Sequence, residues 1–272
     1  MNLRAMKAIV RKDIRIVRRS KGVMIPLIVV PLIFFILIPL LVSLAPSLIN
    51  MPGLSLTEFD TFLQRMPGDL QSTIEPYAED QKIIVMMVVY FFAPMFLIVP
   101  LMVSSVIAAD SFAGEKERKT IEALLYTPTT DGELFLSKVF SAWLPALIVS
   151  LAGFVIYGVT ANAAGWRTMG ELFFPNWMWV VMVLWVAPAV AGLGLGTMVL
   201  VSSRVESFQE ANQLGGVIVL PIVALVIGQA SGVMYFSTRL VLLLGAVLWV
   251  VDGVLLWFGI RVFERERMIT GL

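Results

Sequence analysis

The sequence of 272 residues contains neither cysteine nor histidine. Their absence excludes disulfide bonds, thiolate nucleophiles, imidazole bases and the usual zinc sites. It also lacks a Gly-x4-Gly-Lys-Ser/Thr phosphate-binding loop, because the nearest segment, residues 114–120, has no second glycine. We therefore expect no ATPase site, no resident cofactor or metal and no enzyme activity in this chain. Charged residues are scarce as well, at 14% of the chain against 59% hydrophobic residues.

The hydrophobic residues fall in long blocks, which is typical of a bilayer-spanning protein rather than of a large soluble core. A membrane-spanning helix needs about 20 mostly apolar residues. Six segments qualify: 23–46, 83–109, 134–160, 177–202, 214–234 and 238–260. The fifth is irregular, since Pro221, Gly228 and Gly232 lie in or near it, and it could break and re-enter from one side. We predict an all-α integral membrane protein that forms one membrane domain over residues 1–272.

The distribution of lysine and arginine predicts the orientation of the spans. The N-terminal 21 residues, the 110–133 connection with Lys138, the fourth connection and the C-terminal tail contain most of the basic residues. The remaining connections hold only Arg65, Lys82, Arg167 and Arg239. We expect a multi-pass protein of the plasma (inner) membrane with both termini in the cytoplasm.

The N-terminal segment, residues 1–21, has the pattern of an amphipathic helix. At 100° per residue, five apolar residues fall within an arc of about 80°, and basic residues occupy the neighbouring arc. These apolar residues are Leu3, Met6, Val10, Ile14 and Val17. The pattern predicts an interfacial helix with its basic side toward lipid phosphates. The alternative is a solvated basic tail.

The connection 110–133 is the segment that points to a partner protein. Residues 115–126 are helix formers, with an apolar face of Ile121, Leu124 and Leu125 opposite charged residues. Pro128 disfavours a helical conformation at Thr127, and a capping box at Thr130 and Glu133 begins the third span. A short mixed-charge helix of this kind suits a groove on another protein. The alternative is an ordinary charged connection that only keeps the segment in water.

The run from Glu115 to Pro128, followed by Glu133-Leu134 and Lys138, resembles the permeases of the ABC-2 class of ABC transporters. Glu210-Ala-Asn212 before Pro221 agrees with the same pattern, whereas Lys119 stands where many members have glycine. The resemblance implies a type V exporter-like fold whose coupling helix sits in a groove of a separate ATP-binding subunit. That subunit would carry ATP and Mg²⁺. The residues expected to couple to the ATPase are Glu115, Lys116, Arg118, Thr120, Glu122 and Leu125.

Within that segment, we expect Glu115, Arg118 and Glu122 to face the partner. Leu124 and Leu125 could instead pack against the protein's own spans.

Two features inside the spans have more than one interpretation. Gly192, Gly194 and Gly196 superficially resemble a dinucleotide loop, but their place in a span favours close helix packing through Gly192 and Gly196. Asp252 is the only acidic residue deep in a span, and intramembrane carboxylates are candidates for function. It could line the translocation path, bind a cation or titrate. It could equally be a neutral or hydrogen-bonded group facing other helices.

The function that best accounts for these features is a permease subunit of an ATP-driven exporter, acting as a homodimer or with a related permease. The short outer connections have no room for a substrate-capturing domain, which favours export. We expect membrane lipids and the ATP-binding subunit as partners, and no nucleic acid. The alternatives are an ion-gradient-driven secondary transporter and a membrane anchor or sensor for a cytoplasmic partner.

Overall fold

The computed structural model of the protein describes residues 3–48, 68–120, 130–231 and 233–262. All regular elements within these ranges are helices, and six of them are long and apolar enough to cross a membrane. The predicted all-α, six-span fold is therefore confirmed. The spans are Lys21–Leu44, Ala93–Glu117, Asp131–Met169, Trp177–Ser202, Phe208–Ala230 and Thr238–Ile260, called below the first to the sixth span.

Shorter helices accompany the spans. Leu3–Arg19 forms the N-terminal helix, Gly68–Ile74 lies in the first connection, and Glu79–Ile84 leads into the second span. The part of the first connection at residues 50–67 lies outside the described residues. The last helix runs on from the sixth span to Val262.

Prolines explain three of the wide turns and the 3-10 stretch in the described helices. Proline has no N–H, and its ring clashes with the carbonyl four residues earlier, so the preceding turn widens. Wide π-helical turns occupy Ile33–Leu37, Val85–Phe91 and Met182–Val186, shortly before Pro39, Pro94 and Pro188. The irregularity of the fifth span is a 3-10 stretch, Gly216–Val219, just before Pro221. Its helix ends at Ala230, four residues earlier than expected.

The second and fourth spans form the centre of the subunit. They pack against each other through Gly194, where an added Cβ would lie 2.8 Å from the Leu101 carbonyl oxygen. The third span covers the second, and the sixth covers the fourth. Gly192 and Gly196 lie on the surface between the fourth and sixth spans, where a Cβ at Gly196 would meet Leu255 Cβ at 2.9 Å. These two glycines therefore allow a close approach that larger side chains would prevent.

The N-terminal helix faces the protein differently from the sequence-based expectation. Its buried residues are Met6, Ile9, Asp13 and Val17, whereas Leu3 is 58% exposed. Part of the apolar stripe assigned to lipid thus packs against the protein, mainly against the third span. The reason is that Asp13 and Lys12 pair with groups on the spans, which rotates the helix toward them.

A buried charge cluster at the candidate coupling region

The second span continues beyond its predicted end. A wide turn, Asp110–Gly114, leads without interruption into a last helical turn, Glu115–Glu117. The prediction of a separate helix beginning at Glu115 is therefore wrong. Gly114 keeps a right-handed helical conformation and does not end the helix, and Arg118 Nη1 donates to Asp110 Oδ1 at 3.0 Å across this turn.

The helix ends at Lys119, which has a φ of 54°. This left-handed conformation is costly for residues with a Cβ and natural for glycine. The Thr120 N–H then donates to the Glu115 carbonyl oxygen at 3.0 Å, which closes the turn. Lys119 is also the position at which the sequence departs from the ABC-2 pattern by lacking glycine.

Replacing Lys119 by glycine is expected to stabilise the protein by about 0.5–1 kcal/mol, since it removes the left-handed strain. The measurement is thermal unfolding of the purified protein in detergent. Lys116→Gly is the matched control, because Lys116 lies in the right-handed last turn and its replacement should destabilise by about 1 kcal/mol. Equal effects of the two substitutions would contradict the assignment of strain to Lys119.

Glu115 lies between two lysines at the end of the second span. Its side chain is only 2% exposed, and its Oε2 accepts a hydrogen bond from Lys138 Nζ at 2.5 Å. Its Oε1 accepts from Lys12 Nζ on the N-terminal helix. Both of its carboxylate oxygens are therefore held inside the subunit rather than presented outward, and the coupling role of Glu115 toward a partner protein stays a prediction.

Lys138 is completely buried near the start of the third span. Besides Glu115, it donates to the Ser111 carbonyl oxygen at 2.5 Å and lies 5.1 Å from the centre of the Phe112 ring. Ser111 Oγ in turn donates to Asp13 Oδ2 at 3.1 Å. The residues Lys12, Asp13, Ser111, Glu115 and Lys138 thus form one network, called here the charge cluster.

The charges of the cluster balance. Two carboxylates, Asp13 and Glu115, face two ammonium groups, Lys12 and Lys138, and Lys12 Nζ lies 3.2 Å from Asp13 Oδ1. Burial alone would lower the pKa of Lys12, but its hydrogen bonds to Glu115 and Asp13 and their charges raise that pKa above its ordinary value. Buried ions are tolerated only when paired in this way.

The charge cluster joins three parts of the chain around one connection. Glu115 and Ser111 precede residues 118–130, Lys138 follows them, and Lys12 and Asp13 come from the N-terminal helix. The predicted capping box at the far end is confirmed. Thr130 Oγ1 accepts from the Glu133 N–H at 3.2 Å, and Glu133 Oε2 accepts from the Thr130 N–H at 3.1 Å. Movement of the connection would therefore act on all three elements.

The other predicted coupling residues are distributed more widely. Lys116 Nζ donates to the Val205 carbonyl oxygen at 3.1 Å, so it contacts the connection between the fourth and fifth spans. Glu117 Oε2 similarly accepts from the Phe208 N–H at 2.9 Å. Thr120 is exposed, and Arg118 pairs with Asp110. Glu122 and Leu125 lie outside the described residues, and their coupling role stays a prediction.

Sequence reasoning missed Lys12, Asp13 and Ser111 as members of the cluster. Lys138 offered the clearest signal, since a lysine just inside an apolar span requires a partner. No local pattern connects it to Lys12, which lies in a different helix far away in the chain.

A second polar arrangement ties the wide turn Val85–Phe91, which leads into the second span, to three other spans. Pro94 offers no N–H to the carbonyls of the preceding wide turn. Three side chains from three different spans donate to consecutive carbonyl oxygens there. Tyr157 donates to Val88 at 2.7 Å, Trp179 to Val89 at 2.6 Å and Gln229 to Tyr90 at 2.8 Å. These bonds satisfy backbone groups that hydrocarbon would leave without partners.

Asp252 is buried between the fourth and sixth spans. Its Cγ lies 2.9 Å from the position of an added Gly192 Cβ, and neither carboxylate oxygen has a hydrogen-bond partner among the described residues. Within the part of the chain that the structure describes, no three acidic side chains are placed to hold a metal ion. Asp252 therefore stands alone at a helix–helix contact.

Because Asp252→Asn removes no described hydrogen bond or ion pair, it should leave transport and the pH dependence of transport unchanged and should not lower stability. The measurements are thermal unfolding and transport by the reconstituted protein. Both are compared for the variant and the original protein between pH 6 and 8 (roughly the range in which perturbed carboxyls titrate). A lost or pH-shifted transport activity in a folded variant would instead place Asp252 in the transport mechanism.

Comparison with known protein families identifies a match that covers the spans and most of the N-terminal helix. The family model described as ABC-2 family transporter protein matches residues 7–264, which include all six spans and most of the N-terminal helix. No curated protein is similar enough in sequence to match the chain. Because the family match covers nearly the whole chain and the described residues contain six spans, the chain belongs to the ABC-2 transporter family and is a multi-pass membrane permease of that family.

Proposed function

We propose that the chain is the permease subunit of an ATP-driven exporter, driven by a separate ATP-binding subunit that docks on the connection between the second and third spans. The observation that carries the proposal is the charge cluster, which links both ends of that connection to the N-terminal helix. The docking surface itself comprises residues 118–130, where the sequence predicts the coupling contacts of Glu122 and Leu125.

The cluster supports coupling because buried ion pairs are expensive to separate. Removing a buried charge from its partner costs about 3–5 kcal/mol. A push on the connection would therefore move the second span, the third span and the N-terminal helix together rather than open a gap between them. ATP would supply the energy by binding more tightly to one of two states of the complex.

The Lys116 and Glu117 contacts extend this route. Both residues bind backbone groups at 205–208, where the fifth span begins. Movement of the last turn of the second span would thus reach the fifth span through Val205 and Phe208. This gives the connection a mechanical link to four of the elements that surround it.

Export, orientation and assembly follow from the distribution of charge and from connection length. Basic residues concentrate on the side of the docking connection, which supports a cytoplasmic location for that side. The connection between the third and fourth spans, residues 170–176, leaves no room for a substrate-capturing domain. Two copies, or one copy with a related permease, would supply twelve spans and two docking connections for two ATP-binding subunits.

Co-expression with the ATP-binding subunit tests the proposal. The tagged permease should retain that subunit through purification, and the complex in lipid nanodiscs should hydrolyse ATP. Glu122→Arg should weaken retention without reducing the yield of folded permease. Lys82→Glu, a charge reversal on the far side of the second span, is the control and should have no effect. Undiminished retention and ATP hydrolysis in Glu122→Arg would refute docking at this connection.

A further inference from the structure

The N-terminal helix presents an unusual row of positive charge away from the protein. Successive helical residues are about 100° apart, which places five basic residues within an arc of about 80°. This basic stripe consists of Arg4, Lys7, Arg11, Arg15 and Arg18. Its centre lies about 160° from that of the buried face formed by Met6, Ile9, Asp13 and Val17. The stripe is therefore on the opposite side of the helix from the spans.

The charge of the basic stripe is not neutralised within the described part of the protein. All five side chains belong to exposed residues, and none takes part in a described salt bridge. The one acidic residue of the helix, Asp13, is 3% exposed and held in the charge cluster. Like charges three and four residues apart repel each other along a helix. An anionic occupant would relieve that repulsion.

An apolar edge runs between the buried face and the basic stripe. Leu3, Val10 and Ile14 occupy an arc of about 40° there, with Leu3 exposed and the other two half-buried. A helix whose apolar edge adjoins a cationic stripe lies in the membrane interface, with the edge in the acyl chains and the basic side chains at the headgroups. Only Ser20 separates this helix from the first span, so it is tethered at the membrane surface.

We propose that the basic stripe binds the phosphate groups of anionic phospholipids. An acidic protein surface would match the charge as well, but it would not account for the apolar edge or for the tether to the first span. Bound lipid would hold the N-terminal helix at the headgroups from one side while Lys12 and Asp13 hold it to the spans from the other. This proposal concerns the permease alone and does not depend on the ATP-binding subunit.

Site-specific fluorescence quenching tests the proposal, and the absence of cysteine makes the labelling unambiguous. Ala8 is exposed beside the stripe, so Ala8→Cys can carry a bimane label. The labelled protein is reconstituted in phosphatidylcholine bilayers that contain doxyl-labelled phosphatidylglycerol or doxyl-labelled phosphatidylcholine. We expect the anionic lipid to reach half-maximal quenching at a mole fraction roughly fivefold lower than that of doxyl-labelled phosphatidylcholine. This ratio of mole fractions is equivalent to one effective contact between a basic side chain and an anionic headgroup. High salt should reduce this ratio.

Replacing all five stripe residues by glutamine should bring the ratio close to one. Glutamine retains helix propensity, so the helix itself should survive. Arg167→Gln with Arg239→Gln, two exposed basic residues outside the helix, should leave the ratio unchanged. If the variant with all five substitutions does not fold, the double variant Arg4→Gln with Arg11→Gln should lower the ratio in part.

Equal quenching by the two lipids, or a preference that persists in the glutamine variants, would overturn the proposal. The proposal would also be overturned if the label showed no lipid preference and the addition of the ATP-binding subunit protected the bimane label from quenching. That result would assign the stripe to a protein partner.

Discussion

Lys138→Met is expected to destabilise the permease by about 3–5 kcal/mol, because it removes the fully buried partner of the Glu115 carboxylate and leaves only the more exposed Lys12 beside it. Methionine keeps much of the length of the lysine chain, so the effect reports the lost charge rather than a cavity. The Ser111 carbonyl oxygen also loses a donor. The measurement is the fraction of folded protein that remains after heating in detergent, monitored by size-exclusion chromatography.

Glu115→Gln combined with Lys138→Met should recover most of that stability, since both buried charges are then gone. Lys12 keeps a partner in the double variant, because it also pairs with Asp13 at 3.2 Å. Lys82→Met is the matched control: Lys82 pairs with the exposed Glu79 at 2.9 Å, and its loss should cost at most about 1 kcal/mol. Similar losses for Lys138→Met and Lys82→Met would contradict the importance of the buried pair.

The double variant also separates stability from coupling. If the cluster transmits force, the stable double variant should hydrolyse ATP with its partner subunit but transport poorly. Full recovery of both stability and ATP-driven transport would show that the cluster only holds the fold together.

Trp179→Phe is expected to have the second-largest effect, a loss of about 2–4 kcal/mol of stability. Trp179 is fully buried and donates to the Val89 carbonyl oxygen in the wide turn before Pro94. Phenylalanine cannot make that bond, and it fills less of the space beside Phe96 and Phe174, whose ring centres lie 5.3 and 4.9 Å away. The free carbonyl would then lie in an apolar environment without a donor.

Trp166→Phe provides the matched control, because Trp166 is 53% exposed near the C-terminal end of the third span. It should change stability by less than about 0.5 kcal/mol. Tyr157→Phe isolates the hydrogen bond to Val88, since it removes only the hydroxyl group, and should cost about 1–3 kcal/mol. An effect of Trp179→Phe no larger than that of Trp166→Phe would mean that the wide turn satisfies its carbonyls in another way.

Sequence patterns predicted the six spans well because apolar runs of the right length report directly on the surrounding solvent. They also predicted the Thr130–Glu133 capping box, which involves residues three apart. The end of the second span was predicted less well. The charged residues after Ala109 suggested a departure from the membrane, whereas the structure pairs Asp110 with Arg118 and buries Glu115 within the same helix.

By itself, then, the sequence determined the membrane class, the number of spans and the family pattern after the second span. Each of these depends on composition or on residues close together in the chain. Only the tertiary structure decided that Glu115 faces inward, because its two partners come from the N-terminal helix and from the third span. The same holds for the carbonyls of Val88, Val89 and Tyr90, whose donors come from three other spans. A buried polar group reveals its role only through its partners, and here those partners are distant in sequence.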